Sequence, residues 1–514
     1  MWITATAGLL VGCGRAPVTG NGQWPPYMAA GEDAYAALAD RYYLERARWQ
    51  PTWAAAWGLA PVAGVRPDID PQTVAARLRI DRAFLSRALA IDPRTLTPAG
   101  RAGRELWIHD LRQSIHGASF PEELLPLSAA DGGFALWAVL ASARGEVALN
   151  SLAQHEAWLA QLATVPDWVE QALINMETAD ARGLRLAPEA WQWLARRIGV
   201  ARTLPLTPPP GAWGVGLTLA EQQALAARYR ALADERVRPA LQRLQQRALV
   251  AAQRARGLPR ANWSTLPLGE AWYLQRLDES TDLPLTAQEW HAAGLAGVTR
   301  LEGQLAAAPW PAVPPATAGA APAQSAVPAL PVLLLERLPM AAVPRWQRRT
   351  QRPAHRDGYG LYRLLTAVPA AVEPDPAAAA LHRRAALEQA RGAVAMVVVD
   401  TGLHALGWSR EQALHYLAAH TVWSGPQAAD HVDAALASAT TGLAAGAGCL
   451  RLLQLRTAVE QLQGAAFTAE AFDRQLVVDG PLPLDALESR VMAWARRPAP
   501  GSLPAQSVPS SARR

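Results

Sequence analysis

The residues best suited to metal or acid–base chemistry are few and widely spaced in this chain. A zinc hydrolase built on a helix typically carries His-Glu-x-x-His, because the i, i+4 spacing aims two imidazoles at one ion and the Glu at its water. The nearest match is His155-Glu156, which has no second His four residues on. The sequence also lacks Gly-x-Ser-x-Gly, a phosphate-binding loop with Lys, and a dinucleotide fingerprint. It therefore offers no standard motif for these enzyme classes.

The ten His are dispersed, and His404, His415 and His420 lie close in sequence, with Asp400 and Glu411 nearby. On a helix, His415 and His420 face different ways because they are five residues apart. We interpret these His as surface or hydrogen-bonded structural residues. Of the group, His404 and Asp400 are weak catalytic candidates.

Composition excludes several other classes of protein. The 514 residues are 50% hydrophobic, enough to bury a large core. The 49 basic and 44 acidic residues give a net charge of +5, and the Arg side chains form no basic stripe interleaved with aromatics, so we expect no nucleic-acid partner. Two Cys exclude a disulfide framework and a Cys-rich zinc module. We expect one of them, Cys449, to be a buried helical thiol.

The N-terminus has the form of a bacterial lipoprotein signal. An apolar stretch leads into Leu10-Val11-Gly12-Cys13, and a Pro/Gly-rich tether follows. In such a box the Cys is lipidated, which anchors a protein to a membrane without a spanning helix. Because Gly14 rather than Asp follows Cys13, we expect a periplasmic, outer-membrane lipoprotein of a Gram-negative bacterium. The alternative is a frayed N-terminus with an incidental Cys.

Helical periodicity predicts an all-α fold with at most a few short strands. Thr218-x-x-Glu221, Thr286-x-x-Glu289 and Ser409-x-x-Gln412 are capping boxes. Pro239 is expected to kink one helix or start another, and Gly402 and Gly407 to stop one. A short strand is expected at Val332–Leu335, whereas Val397–Val399 is expected to close a helix.

The chain divides by composition into a signal segment, a tether, one large helical domain and a tail. The boundaries are 1–13, 14–29, 30–495 and 496–514, and an Ala/Pro-rich linker at 307–331 lies inside the domain. We find no repeat of fixed period.

Two stretches carry a resemblance to a known family. One runs Leu-Pro-Leu-Gly-Glu-Ala-Trp-Tyr from Leu266, followed by Thr281-Asp282-Leu283 and Glu289-Trp290-His291. The other runs Val-Val-Val-Asp-Thr-Gly-Leu-His-Ala-Leu-Gly-Trp from Val397. Together they resemble the bacterial domain-of-unknown-function 885 family, a group of helical zinc-peptidase-like proteins that are often lipoproteins. The resemblance extends from about Ala30 to Trp494.

The resemblance implies a metal stretch of the form His-Glu-Ala-x-Pro-Gly-His-His, which here reads Met-Ala-Ala-Val-Pro-Arg-Trp-Gln from Met340. Met340 replaces the first His, Ala341 the general-base Glu, and Trp346 and Gln347 the later His residues. The family's later Glu-Gly-Trp-Ala-x-Tyr matches a segment from Asp357 to Tyr362. The Asp357 carboxylate is one methylene shorter than the Glu it replaces.

These replacements predict that zinc has been lost and that no other cofactor is bound. Zn²⁺ needs three good N, O or S ligands and an activated water. The first hypothesis is therefore a non-catalytic lipoprotein, or pseudoenzyme, with an unknown peptide or protein partner. The second is a hydrolase whose site is built from His355, Asp357 and His404. A third alternative is that the alignment is shifted and the true ligands lie in the linker. It has little support, because residues 307–331 contain neither His nor acidic residues.

The correspondence also predicts a place for the degenerate centre. Met340, Ala341, Trp346 and Asp357 are expected to lie together, with His404 close by. Without a metal, a buried Asp357 needs a partner, and Arg345 or Arg356 is the nearest in sequence. The alternative is that these residues occupy a surface loop and the register is wrong.

Overall fold

The computed structural model describes most of the chain, and every regular element that it describes is a helix. The described residues are 30–49, 67–128, 149, 151–203, 213, 216–257, 262–307, 347, 352–366 and 376–497. The predicted all-α fold is confirmed. Cys13, the expected strand at Val332–Leu335 and the linker lie outside these residues. The first described helix begins at Ala30 and the last ends at Ala495, while the division of the chain into segments stays a prediction.

Among the described residues, eight α-helices precede the turn at Trp263. They are α1 (Ala30–Trp49), α2 (Pro71–Ala90), α3 (Pro98–Gly117), α4 (Leu152–Leu162), α5 (Val165–Ala181), α6 (Pro188–Thr203), α7 (Leu219–Leu232) and α8 (Arg238–Ala255). The remaining helices are α9 (Gly269–Thr281), α10 (Ala287–Ala307), α11 (Pro353–Thr366), α12 (Pro376–His404), α13 (Arg410–His420), α14 (Gly425–Ala437), α15 (Ala444–Gln463), α16 (Ala469–Val477) and α17 (Leu484–Ala495). No described helix has both the length and the apolar character needed to cross a bilayer.

Local sequence explains where these helices begin. The capping boxes at Thr218 and Ser409 are present, and the Thr286 hydroxyl and backbone amide both bond Glu289, so all three predicted boxes are confirmed. Pro239 sits in the first turn of α8, which follows α7 through one π-helical turn at Ala233–Val237. The helical backbone continues from α7 into α8, so Pro239 lies just after a π-helical turn within one helical run and not at the start of a separate helix.

One predicted helix end was wrong. Gly407 adopts φ 70° just beyond α12, as expected of a stop signal. Gly402 instead lies inside α12, where a Cβ would meet the Trp408 ring at 2.5 Å. Gly402 is small because an indole packs on it. Val397–Val399 lies in the last two turns of α12, as predicted, and is fully buried.

The core is one contiguous cluster of buried side chains drawn from α1 to α17. Helices α10 and α12 pack along each other, as do α11 and α15. Helix α12 is central, because every residue from Val394 to His404 is buried. The predicted burial of Cys449 in a helix is confirmed, and burial raises the pKa of its thiol to about 12.

Helices α11 and α15 approach each other at backbone distance. A Cβ on Gly448 would lie 1.8 Å from the Ala354 carbonyl oxygen, and one on Gly358 would lie 2.6 Å from the backbone of Gly448. Gly358 and Gly448 thus allow α11 and α15 to cross at a distance that any larger residue at either position would prevent. This crossing places His355 and Asp357, which share α11 with Gly358.

We predict that Gly448→Ala lowers the free energy of unfolding by about 3 kcal/mol or more, because the methyl group forces the two backbones apart. The control is Gly303→Ala on α10, where a Cβ meets nothing within 4 Å. That change should raise stability by up to about 1 kcal/mol through helix propensity. Urea unfolding of both variants measures the difference. Equal stabilities would contradict the close crossing.

Candidate functional site

Only part of the predicted metal centre falls within the described residues. Met340, Ala341 and Trp346 lie outside them. Gln347, at the last His position of the family motif, is buried, and its side-chain amide donates to the carbonyl of Asp479 at 2.8 Å. Whether Met340, Ala341 and Trp346 gather around Asp357 stays a prediction.

Asp357 lies on the outer side of α11 and is paired. The Arg356 Nε donates to its Oδ1 at 2.8 Å, and both side chains are 38% exposed. This is the partner expected from sequence. A half-exposed ion pair contributes no more than about 1 kcal/mol. Asp357 therefore forms a surface pair.

His355 is buried two residues earlier on the same helix. Its Nδ1 accepts a hydrogen bond from the Leu482 amide at 2.9 Å, and its Nε2 donates to the Leu476 carbonyl at 2.8 Å. Because an amide can only donate and a carbonyl can only accept, these partners fix the Nε2–H tautomer. Burial lowers the pKa of the imidazole to about 4. The single lone pair of neutral His355 is therefore already occupied.

His404, the last residue of α12, is held in the same way. Its Nδ1 accepts from the Trp263 amide at 3.3 Å, and its Nε2 donates to the Ala435 carbonyl at 3.1 Å. The Tyr273 ring lies against it, with 5.3 Å between ring centroids. Burial lowers the pKa of His404 to about 4. Neutral His404 thus joins α12 to the Trp263 turn and to the end of α14.

Asp400 sits one turn before His404 and has both oxygens occupied. Oδ1 accepts from the Tyr273 hydroxyl at 2.9 Å, and Oδ2 accepts from the Thr440 amide at 2.8 Å. Thr440 holds a left-handed φ of 69°, which aims its N–H at this carboxyl group. Burial raises the pKa of Asp400 to about 7. The carboxyl group fixes the loop between α14 and α15 to α9 and α12.

A buried cation, the Arg276 guanidinium, interacts electrostatically with both Asp400 and His404. Arg276 on α9 forms an ion pair with Glu122, and its guanidinium carbon lies 4.1 Å from the centre of the Trp263 ring. The Trp272 indole also donates to Glu122, at 2.5 Å. The Arg276 charge lowers the pKa of both Asp400 and His404, although burial is the larger influence on each. The first family-like stretch therefore forms one wall of a packed polar cluster.

The structure does not bring His355, Asp357 and His404 to one metal position. His355 bonds the backbone around α16 and α17, Asp357 bonds Arg356, and His404 bonds the backbone of the Trp263 turn and α14. Within the described ranges, no group of three His, Cys, Asp or Glu side chains has an arrangement that could hold a metal ion. The alternative hydrolase site thus lacks the convergence that it requires.

Sequence reasoning missed a second buried polar cluster. Asp282 at the end of α9 accepts from Arg352 at 3.0 Å and bonds His109 Nε2 at 3.1 Å, while Arg352 also pairs with Asp110. Tyr43 on α1 donates to Asp110 at 3.4 Å. These residues come from four distant parts of the chain, so no sequence motif or spacing predicted the cluster. The only sequence signal was the place of Asp282 in a family-like stretch.

We predict that Asp400→Asn lowers stability more at about pH 5 than at about pH 8. Asn leaves either the Tyr273 hydroxyl or the Thr440 amide without an acceptor, which costs about 1–3 kcal/mol. Between the ordinary pKa of 3.8 and the folded value of about 7, folded Asp400 keeps a proton that the unfolded chain has released. Its contribution to the free energy of unfolding therefore falls as the pH rises through that window, and Asn has no such dependence.

Urea unfolding at several pH values measures this difference. Other titrating groups are common to both proteins and cancel in the subtraction. The matched control is Asp357→Asn, the same substitution at a half-exposed position outside the core. If the difference in free energy of unfolding between wild type and Asp400→Asn stays constant or grows as the pH rises, Asp400 is ionised in the folded protein and the prediction is wrong.

Two solved structures share this fold. A "putative lipoprotein" from Colwellia psychrerythraea aligns with a TM-score of 0.72 and 15% identity, over 91% of this chain and all of its own. A "putative lipoprotein of unknown function" from Shewanella oneidensis aligns with a TM-score of 0.57 and 13% identity, over 89% of this chain and 99% of its own. At these identities the likeness concerns the fold. No curated protein matched the chain.

A family sequence model matches most of the chain, in two ranges. The ranges are 51–309 and 340–491, and the residues between them fall largely in the Ala/Pro-rich linker. The second range begins at Met340. The chain therefore belongs to the DUF885 family of bacterial proteins of unknown function.

Proposed function

We propose that this protein is a non-catalytic lipoprotein of the Gram-negative cell envelope. In this proposal the helical body of the family is kept, the zinc site is lost, and the protein acts by binding a peptide or protein partner. An acyl group on Cys13 holds the body on the periplasmic side of a membrane, with the outer membrane as the destination.

The state of the two buried imidazoles carries the proposal. A neutral imidazole ligates a metal or takes a proton through its one unprotonated nitrogen. In both His355 and His404 that nitrogen, Nδ1, accepts a main-chain N–H. Freeing it would leave a buried amide unsatisfied, at a cost of about 1–3 kcal/mol. Both side chains are at most 2% exposed, so neither meets a substrate from solvent.

The composition of the family's metal stretch supports the same conclusion. Met340 and Trp346 offer no hard donor to zinc, and Ala341 has no carboxylate to activate a water. Loss of a general base alone removes about 10²–10⁴ in rate. Asp357 remains, but it is engaged by Arg356. A single carboxylate does not hold the ion tightly.

The anchor rests on the Leu10-Val11-Gly12-Cys13 box and on the solved relatives. Both relatives are titled as "putative" lipoproteins and come from Gram-negative bacteria. A lipid anchor with a polar tether would leave the helical body free to meet a partner in the periplasm.

Metal content and peptide hydrolysis of the full chain test the proposal together. We expect less than about one tenth of a zinc ion per chain after purification in zinc-containing buffer, since three good ligands are needed for tight binding. We also expect no hydrolysis of a mixed peptide library above the buffer control. Stoichiometric zinc that disappears in His404→Ala or Asp357→Ala would overturn the pseudoenzyme proposal.

Two forms of the chain are compared in the same experiment. The wild-type protein is extracted from membranes with detergent, and Cys13→Ala, which lacks the lipidation site, is expected in the soluble fraction. Equal membrane association of the two forms would place the anchor elsewhere. The metal result applies to both forms, so a failure of the anchor and a failure of the non-catalytic assignment are told apart.

A further inference from the structure

A cavity of about 340 Å³ lies among four helices, away from the Asp400–His404 cluster. Its walls come from the second half of α10, the last turn of α11, the first half of α12 and the second half of α15. This volume is at the lower end of the range of small-molecule sites, which is about 300–1,000 Å³. Neither the proposed function nor the family assigns a role to this cavity.

The charged groups that line the cavity are three guanidinium groups and one carboxylate. Arg456 is held in place, because its Nε pairs with Glu460 at 2.7 Å and its Nη1 donates to the Tyr362 hydroxyl at 3.2 Å. Arg300 on α10 and Arg383 on α12 are exposed, and neither makes a hydrogen bond or ion pair within the described part of the chain. The cavity therefore carries an excess of positive charge, with donors available to a ligand.

Beneath the guanidinium groups the cavity is apolar. Leu301, Ala386 and Leu387 are buried in its floor, and Leu365 and Leu453 are partly buried around it. The two hydroxyl groups in the lining, on Thr366 and Thr457, donate to carbonyls of their own helices. The floor therefore suits a short hydrocarbon group, and the arginines at the surface suit a charged head.

We propose that this cavity binds a small amphipathic anion, whose carboxylate or phosphate head lies between Arg300, Arg383 and Arg456 and whose alkyl group lies on the leucine floor. Guanidinium groups recognise carboxylate and phosphate oxygens through two parallel hydrogen bonds. Glu460 neutralises part of the Arg456 charge, so Arg300 and Arg383 supply most of the attraction. The ligand exchanges freely with solvent, since its head group lies at the surface.

Calorimetric titration of the full chain carrying Cys13→Ala, which avoids detergent, tests the proposal. The probes are octanoate, octyl phosphate, 1-octanol and inorganic phosphate. We expect octanoate and octyl phosphate to bind at one site per chain, more weakly as salt is added, and the tighter of the two to identify the head group. We expect 1-octanol and inorganic phosphate, which each lack one half of the ligand, to bind at least about tenfold more weakly.

Arginine variants locate the binding. Arg383→Ala should weaken the tighter anion about tenfold, because a charge-assisted hydrogen bond is lost. The matched control is Arg82→Ala on α2, another exposed Arg that makes no hydrogen bond or ion pair with the described residues and lies outside the cavity lining. Circular dichroism checks that both variants are folded. The proposal is overturned if neither anion binds, if Arg383→Ala and Arg82→Ala bind alike, or if 1-octanol or inorganic phosphate binds as tightly as the amphipathic anions.

Discussion

The buried hydrogen bonds of Asp400 and His404 are the constraint on which the central packing depends. Both groups lie on α12 in the core, where an unpaired polar group costs about 1–3 kcal/mol. Their partners are the Tyr273 hydroxyl and the main chain at Thr440, Trp263 and Ala435. The complete set of bonds forms only if α9, α12, α14, the loop at Thr440 and the Trp263 turn all hold their positions. The cluster thus specifies one arrangement of these elements.

The same bonds support our proposal that these residues have a structural role and not a catalytic one. A catalytic His needs a free nitrogen and access to substrate, whereas His355 and His404 have neither. Asp400 is buried and shared between two donors. The family-like stretches around Tyr273 and Asp400 therefore act as packing elements in this chain. The guanidinium-lined cavity offers a place for recognition that is separate from them.

Local features of the fold were predictable from the sequence, because their causes are local. Capping boxes, the irregular helical turn next to Pro239 and the helical state of Val397–Val399 follow from neighbours within a few residues. The pairing of Asp357 with Arg356 was predictable for the same reason. The prediction that Gly402 ends a helix was wrong, because this glycine makes room for the Trp408 ring inside α12.

The buried polar clusters could not be predicted from the sequence, because they depend on contacts between distant parts of the chain. His404 is bonded to an amide 141 residues away, and His109 to a carboxylate 173 residues away. A main-chain N–H is present in almost every residue type, so the sequence does not show which amide bonds a given side chain. The sequence therefore indicated His404 as a candidate residue, but it did not indicate that the lone pair of His404 was occupied. The positions of Met340, Ala341 and Trp346 stay predictions.

The most direct test of this account is the state of the two imidazoles in solution. Nitrogen NMR of the ¹⁵N-His-labelled protein, with His355 and His404 assigned by substitution, reports the tautomer, the titration and metal contact of each ring. We predict that both rings are neutral Nε2–H tautomers, that neither titrates until the pH approaches about 4, and that neither shifts when zinc is added. A zinc-dependent shift of His404 Nδ1, or titration of either ring near pH 6.5, would contradict the account.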